Sequence, residues 1–503
     1  MAAHSEQKVR HILPRWRSSQ QTARLGELDP VGVAPAEPLD DPDFIAEIVA
    51  DWRSNHAIPF AAELVSCAFV LGQQFAEATE ASEFILKSEN ISESLSAIAK
   101  SILGIAATDQ CHEGLALIKL DAQAKIHLLR RKLTDDPRNA IAWTDLAHAF
   151  AGVGQVQKSK KAIGNAIALA PESRFVVRSG SRLFVHSGDH DLAHDLVNGC
   201  AATPHDPWLL ATEVATAQLI GRTPRFAKRS RQLLKSGKID PRHLSELASA
   251  IATLELGAGA IRRSRKFFRL SLDHPNENAV AQARWAAETL PALRELVGER
   301  LDTPGSYEAR SWAQHRSGEW ELALENALKW LEDQPFSSGP AAHGSFLASV
   351  CLEKFDQGEE IATKGLRANP QEFTLKNNAA FSLACLGRLD EAERHLELVR
   401  ESLLSETNKA VHLATQGLIA FRRGNFEAGR KLYLRAIEQA HVSGDKRLTA
   451  FASIYYAFEV LRAHTADADT TVATALERAA AAESADLRLL SSRLTDSLEK
   501  HRR

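Results

Sequence analysis

Residues 140–171 read AIAWTDLAHAFAGVGQVQKSKKAIGNAIALAP, and this stretch decides the fold. Trp143, Leu146, Ala147 and Phe150 follow one another at steps of three, one and three, which stacks all four on one face of a helix. The small Ala147 lets a second helix approach closely. Gly154 stands where the first helix must end in a left-handed cap, and Pro171 cannot continue the second helix. A single helix–turn–helix of this kind cannot bury its apolar face alone, so it requires neighbours of the same build.

Those neighbours are present along the chain. Thirty-four positions after Gly154 comes Gly188 in HSGDHDLAHDL, with Ala193 as the small residue of the next helix, although Gly180 and Ser181 occupy the expected Leu-small pair. Around Gly318, RSGEWELALENALKWLEDQP supplies Trp320, Ala323 and Pro335, and departs from the pattern at Arg310. Around Gly387, KNNAAFSLACLGRLDEAERHLELV carries Asn378, Ala379, Ala380, Leu383, Leu389 and Ala392; around Gly424 stand Leu413, Gly417, Phe426, Tyr433 and Ala436. The spacings are 34 from Gly154 to Gly188, 35 from Pro335 to Pro370 and 37 from Gly387 to Gly424, and drift of that size falls in loops.

With five turn glycines in register, the chain resembles the tetratricopeptide repeat, a 34-residue helix–turn–helix unit. The resemblance implies an all-α, right-handed superhelix whose first helices line a concave groove that holds a segment of a partner protein. Matched by position, the groove residues are Thr144 and His148, then Arg178, Arg182 and His186, then Asn377 and Phe381. Arg178 and Arg182 are spaced to meet a carboxylate or phosphate with two forks. The Lys and Asn set with which some family members clamp a terminal carboxylate is incomplete here, so that activity is not implied.

The rest of the chain organises around these repeats. Degenerate helical repeats are expected over 41–138, with a turn near Gly72 followed by Phe75; a first block covers 139–290, and a bend or linker 291–305 is set by Pro291 and Gly305. A second block covers 306–465, and the polar helices of 466–503 read as a cap for the solenoid end. Residues 1–40 hold four prolines and several arginines with little periodicity, so a flexible arm is expected. Trp16 between Arg15 and Arg17 is either an anchor for a partner or is tucked back onto the repeats.

Composition narrows the function. The 503 residues carry 61 Lys+Arg against 64 Asp+Glu, a balance that gives no global field for polyanions. The five cysteines are scattered without a CxxC pair, which suits a reducing, cytoplasmic setting. No apolar run approaches the length of about 20 residues that spans a bilayer, so no membrane partner is expected. P-loop, GxSxG, HExxH and EF-hand patterns are absent, so neither an enzyme nor a cofactor is expected.

Two clusters remain. His186, His190 and His194 flank a turn rich in aspartate, a weak candidate metal site, and a polar turn with a solvated helix start is the favoured reading. Arg229, Arg262, Arg263, Arg265, Lys266 and Arg269 belong to a basic stretch over 222–269 that could bind phosphates as a stripe or cover the outer face of the array. The leading expectation is a non-enzymatic adaptor or regulatory subunit of a bacterial-type cytoplasmic complex, with a protein in the groove and a second contact through Trp16. The alternatives are a nucleic-acid-associated repeat protein and the sensor of an effector system such as phage defence or toxin control.

Overall fold

The structure is a computed structural model that describes residues 10–28, 42–71, 76–88, 91, 93–105 and 113–503. Gly72, Phe75, Cys111 and most of the expected arm outside residues 10–28 lie beyond the described residues. Among the described residues every regular element is a helix, and none is long and apolar enough to cross a membrane.

The chain divides into two compact units, His11–Gly298 and Glu299–Arg503, the latter joined by Arg10; the division falls at Gly298, inside the stretch 291–305. In the unit of residues 11–298, helix pairs follow one another: Ala140–Gly152 with Val156–Leu169, Arg174–His186 with His190–Gly199, Pro207–Leu219 with Ala227–Lys235, and Pro241–Gly257 with Ile261–Ser271. Helix Glu277–Ala286 follows them, and among the described residues five helices from Pro42 to Asp135 precede them.

The sequence reading of residues 140–171 translates directly into bonds. Leu146, Ala147 and Phe150 are buried, and only Trp143 of the four stays half-exposed, its indole N–H donating to the Pro137 carbonyl at 3.0 Å. Gly154 adopts φ 75°, so its N–H reaches the Ala151 carbonyl and the N–H of Gln155 reaches that of Phe150. Ser159 of the second helix then donates its hydroxyl to the carbonyl of Ala147 at 2.7 Å, a contact the missing side-chain bulk at Ala147 allows.

In the second unit, the pairs are Tyr307–Ser317 with Trp320–Asp333, Ser338–Phe346 with Phe355–Ala368, Phe373–Cys385 with Leu389–Glu397, Glu406–Arg422 with Phe426–Val442, and Lys446–Arg462 with Ala468–Ala480. An inter-helix bond of the same kind recurs in the opposite sense, Ser311 of the first helix donating to the Ala323 carbonyl of the second at 2.7 Å. Gly417 faces the ring of Tyr433 so closely that an added Cβ would sit 2.8 Å from it.

The last helix, Ala485–Arg502, is more than an end cap. It packs against Lys446–Arg462 and Ala468–Ala480, and also reaches back to Tyr307–Ser317 and to the π turn Leu347–Cys351. Leu487, Leu490 and Leu494 are buried, Arg493 donates to the carbonyls of Val350 and Cys351 at 2.8 and 2.6 Å, and Asp486 pairs with Arg447 and with His315.

Candidate protein-binding groove

In the unit of residues 11–298 the first helices of successive pairs share one face, and residues 11–28 of the chain run along it. The flexible arm expected over residues 1–40 is corrected there: Ile12, Trp16, Arg17 and Glu27 are all at most 3% exposed. The physical reason is a set of partners on one first helix after another.

Trp16 sits edge-on to His148 with ring centroids 5.1 Å apart. Burying an indole of this size contributes on the order of 3 kcal/mol. Asn278 donates to the carbonyl of Leu13 at 2.9 Å, holding the extended part of the segment. Ser18 then caps a short helix, Ser19–Arg24, whose start is fixed on the groove: the N–H and hydroxyl of Ser19 both donate to the carboxylate of Asp145, at 2.7 and 2.5 Å. Burial pushes the Asp145 carboxyl up to about 6, against those two hydrogen bonds.

The far end of the segment closes on a buried charge cluster. Glu27 lies between Arg178, at 2.9 Å, and Arg17, at 3.4 Å. Arg178 also holds Glu246 at 2.7 Å, and Arg17 holds Glu277 at 2.8 Å. Arg174 donates to the backbone carbonyl of Glu27 at 2.9 Å and pairs with Asp206. Three carboxylates thus share two guanidinium groups out of water, so desolvation pushes Glu27 up to about 7 even though Arg178 and Arg17 oppose the rise. The Arg178 guanidinium also lies 4.6 Å from the ring centroid of Trp208, and the carboxylates keep it charged despite its burial.

The groove residues named from the sequence divide accordingly. His148 and Arg178 touch or pair with the segment. Arg182 is half-buried and pushed down to about 10 by desolvation and by Arg15; His186, beside it, is pushed down to about 4 by burial and the Arg182 charge. Thr144 does not present its hydroxyl: it is fully buried and donates to the Ala140 carbonyl of its own helix. Asn377 and Phe381 belong to the other unit, where both are buried and Phe381 packs edge-on to Tyr455 at 5.3 Å.

Sequence reasoning missed the acidic half of the groove: Asp145, Glu246 and Glu277, and Glu27 of the segment. A carboxylate set between the leucines of a first helix, as Glu246 between Leu244 and Leu247, is the signal that could have found them.

The three histidines do not converge. His194 turns inward to the Thr216 hydroxyl at 3.3 Å, and among the described residues no group of three His, Cys, Asp or Glu could hold a metal ion. The basic residues lie on second helices, and part of their charge is engaged. Arg263 pairs with the buried Glu255 at 2.9 Å, as does Arg231, and Arg229 donates to the Pro204 carbonyl. Arg262, Lys266 and Arg269 are exposed and Arg265 half-exposed, whereas Phe267 and Phe268 face the core.

No family model matches the chain, and no curated protein matches it. Among solved structures the chain is similar to yeast Tom70, at 13% identity and a TM-score of 0.29, over 92% of this chain and 97% of that one. It is similar to a monomeric mutant of IFIT1 with Gppp-AAAA, at 13% identity and a TM-score of 0.32 over 98% of each chain. The tetratricopeptide domains of yeast Sti1 in a complex with pHSP90 match at 11% identity and a TM-score of 0.19, covering 59% of this chain and 98% of that one. What establishes the fold is the chain's own geometry, with serine bridges at small-residue positions and left-handed glycines between the helices of most pairs. By that geometry the described part of the chain is an all-α array of helix pairs that resembles the tetratricopeptide repeat.

Proposed function

We propose that the chain is a non-enzymatic scaffold that binds an extended protein segment in the groove of residues 11–298. The observation that carries this reading is the groove's occupation by an extended stretch of protein, the chain's own residues 11–28. A face that buries Trp16, caps a helix start through Asp145 and receives a carboxylate at Arg178 is chemically a peptide site. A partner for it would present the same features: an aromatic anchor flanked by arginine, and a carboxylate about ten residues later.

Residues 11–28 then act as a resident ligand that a partner must displace. Tethering gives such a segment an effective concentration in the millimolar range, so the intact chain binds competitors far more weakly than an emptied one.

A synthetic peptide of residues 11–28 tests this. Anisotropy titration with a chain lacking residues 1–28 should give saturable binding, weakened by Arg178→Glu, and the intact chain should bind at least about 100-fold more weakly. Equal binding to both chains, or none to the shortened and still folded chain, would contradict the reading.

A further inference from the structure

The unit of residues 299–503 holds a different feature, a cavity of about 560 Å³ left beside the C-terminal helix. That volume lies in the range of small-molecule sites, about 300–1,000 Å³. Its apolar wall includes Phe355, Tyr455 and Phe458, with Tyr455 and Phe458 rings 5.9 Å apart.

The charges around the cavity are unequal. Arg422 is committed to Glu459 through two hydrogen bonds, at 2.8 and 2.9 Å. Arg462 lies 3.9 Å from that same carboxylate and its side chain is 65% exposed. Lys500 has no hydrogen-bond or ion-pair partner among the described residues, and Glu353, the other acid of the lining, is exposed with Arg493 3.8 Å away. Lys500 thus borders the cavity without a carboxylate partner among the described residues, and Arg462 only shares Glu459, at 3.9 Å, with Arg422.

The backbone around the cavity departs from the rule of the array. Helix pairs elsewhere in this unit close through Gly318, Gly387 and Gly424, all at positive φ. At three turns the left-handed position is instead held by Glu353, at φ 55°, His464, at φ 52°, and Glu483, at φ 45°, and the first two line this cavity. The His464 ring stacks on His501 of the C-terminal helix, centroids 4.8 Å apart. Side chains retained where glycine is unstrained, next to the widened turn Leu347–Cys351 that contributes Ser349 to the wall, mark a site shaped for more than packing.

We propose that this cavity binds a small organic anion with a flat apolar body, its ring system against Tyr455 and Phe458 and its acid group between Arg462 and Lys500. The acid is a carboxylate or a phosphate, chemistries that the two cations serve alike. This site is separate from the peptide groove and does not depend on it.

Titration calorimetry of the full chain with 1-naphthoate, 1-naphthyl phosphate and the uncharged 1-naphthalenemethanol separates the cases. At least one anion should bind at one site per chain, about tenfold or more tighter than the alcohol, and the tighter of the two identifies the acid. Arg462→Glu/Lys500→Glu should weaken that anion by about tenfold or more, and Phe458→Ala should weaken all three ligands. Arg178→Glu should leave them unchanged. Both charge reversals are on the surface, and an unchanged melting temperature verifies the fold. The proposal is overturned if neither anion saturates, if the alcohol binds as tightly as the anions, or if the double variant binds them as well as the parent chain.

Discussion

Arg178 concentrates the account into one side chain. It was legible in the sequence as a groove residue seeking an anion, because its place in the repeat is set locally. The anion was not legible: Glu27 is 151 positions away and Glu246 is 68, and no local pattern ties them together. Removing one member of a buried ion cluster leaves the others uncompensated, so Arg178→Glu should cost about 3–5 kcal/mol in chemical denaturation. Arg178→Met, which does not place a new carboxylate beside Glu27 and Glu246, should cost less. Trp16→Ala should cost about 3–5 kcal/mol as well, because the indole is 1% exposed and its removal empties a packed site. A change under about 1 kcal/mol for Trp16→Ala would show that the segment is not packed in solution.

At the scale of the element, the docked segment carries a pH dependence of known sign. The groups facing Glu27 are Arg178, Arg17, Glu277 and Glu246. Its docked value, about 7, exceeds its ordinary value of 4.5, so docking takes up a proton and its contribution is lost as pH rises through 7. Asp145, pushed up to about 6, acts in the same direction over a lower range. His186 acts oppositely: held down to about 4, it disfavours the docked state once pH falls below 6.5. Affinity for the peptide of residues 11–28 should therefore rise as pH falls from 8.5, with His186 slowing the rise below 6.5 without reversing it down to about 4.5. Glu27→Gln in the peptide should remove the upper rise, and a rise that persists in that variant would assign it to another group.

The C-terminal helix shows the reverse sign. Burial alone would push the Asp486 carboxyl up, but His315, Arg447 and Ser484 outweigh it and hold the group well below the usual carboxylate range. Its contribution is present above the ordinary value of 3.8 and is lost as pH falls beneath it. Asp486→Asn should lower the stability of this unit near neutral pH and flatten its loss in acid, followed by circular dichroism. Neither docked element was visible in the repeat period. The period reports which residues face a neighbouring repeat, whereas residues 11–28 and 485–502 are held by side chains scattered over several repeats.

For the whole molecule, the register of turn glycines made the all-helical array readable, because each helix pair is specified within about 34 residues. The separation into two units has a consequence for unfolding. The core from Ala323 to Leu494 lies in one unit and the cluster of Val177, Val197 and Leu209 in the other. Calorimetry should resolve two transitions, one lowered by Trp16→Ala and the other by Asp486→Asn, with little cross-effect. A single transition shifted by both would mean that the units unfold together.

The central claim is that the groove of residues 11–298 is filled by the chain's own residues 11–28. Hydrogen exchange of the intact chain addresses it directly. The N–H groups of Ser19, Thr22 and Glu27, bonded respectively to Asp145, Ser18 and Thr22, should exchange slowly in the parent chain and much faster in Arg178→Glu. Exchange of these amides at the rate of an unstructured peptide in the parent chain would contradict it.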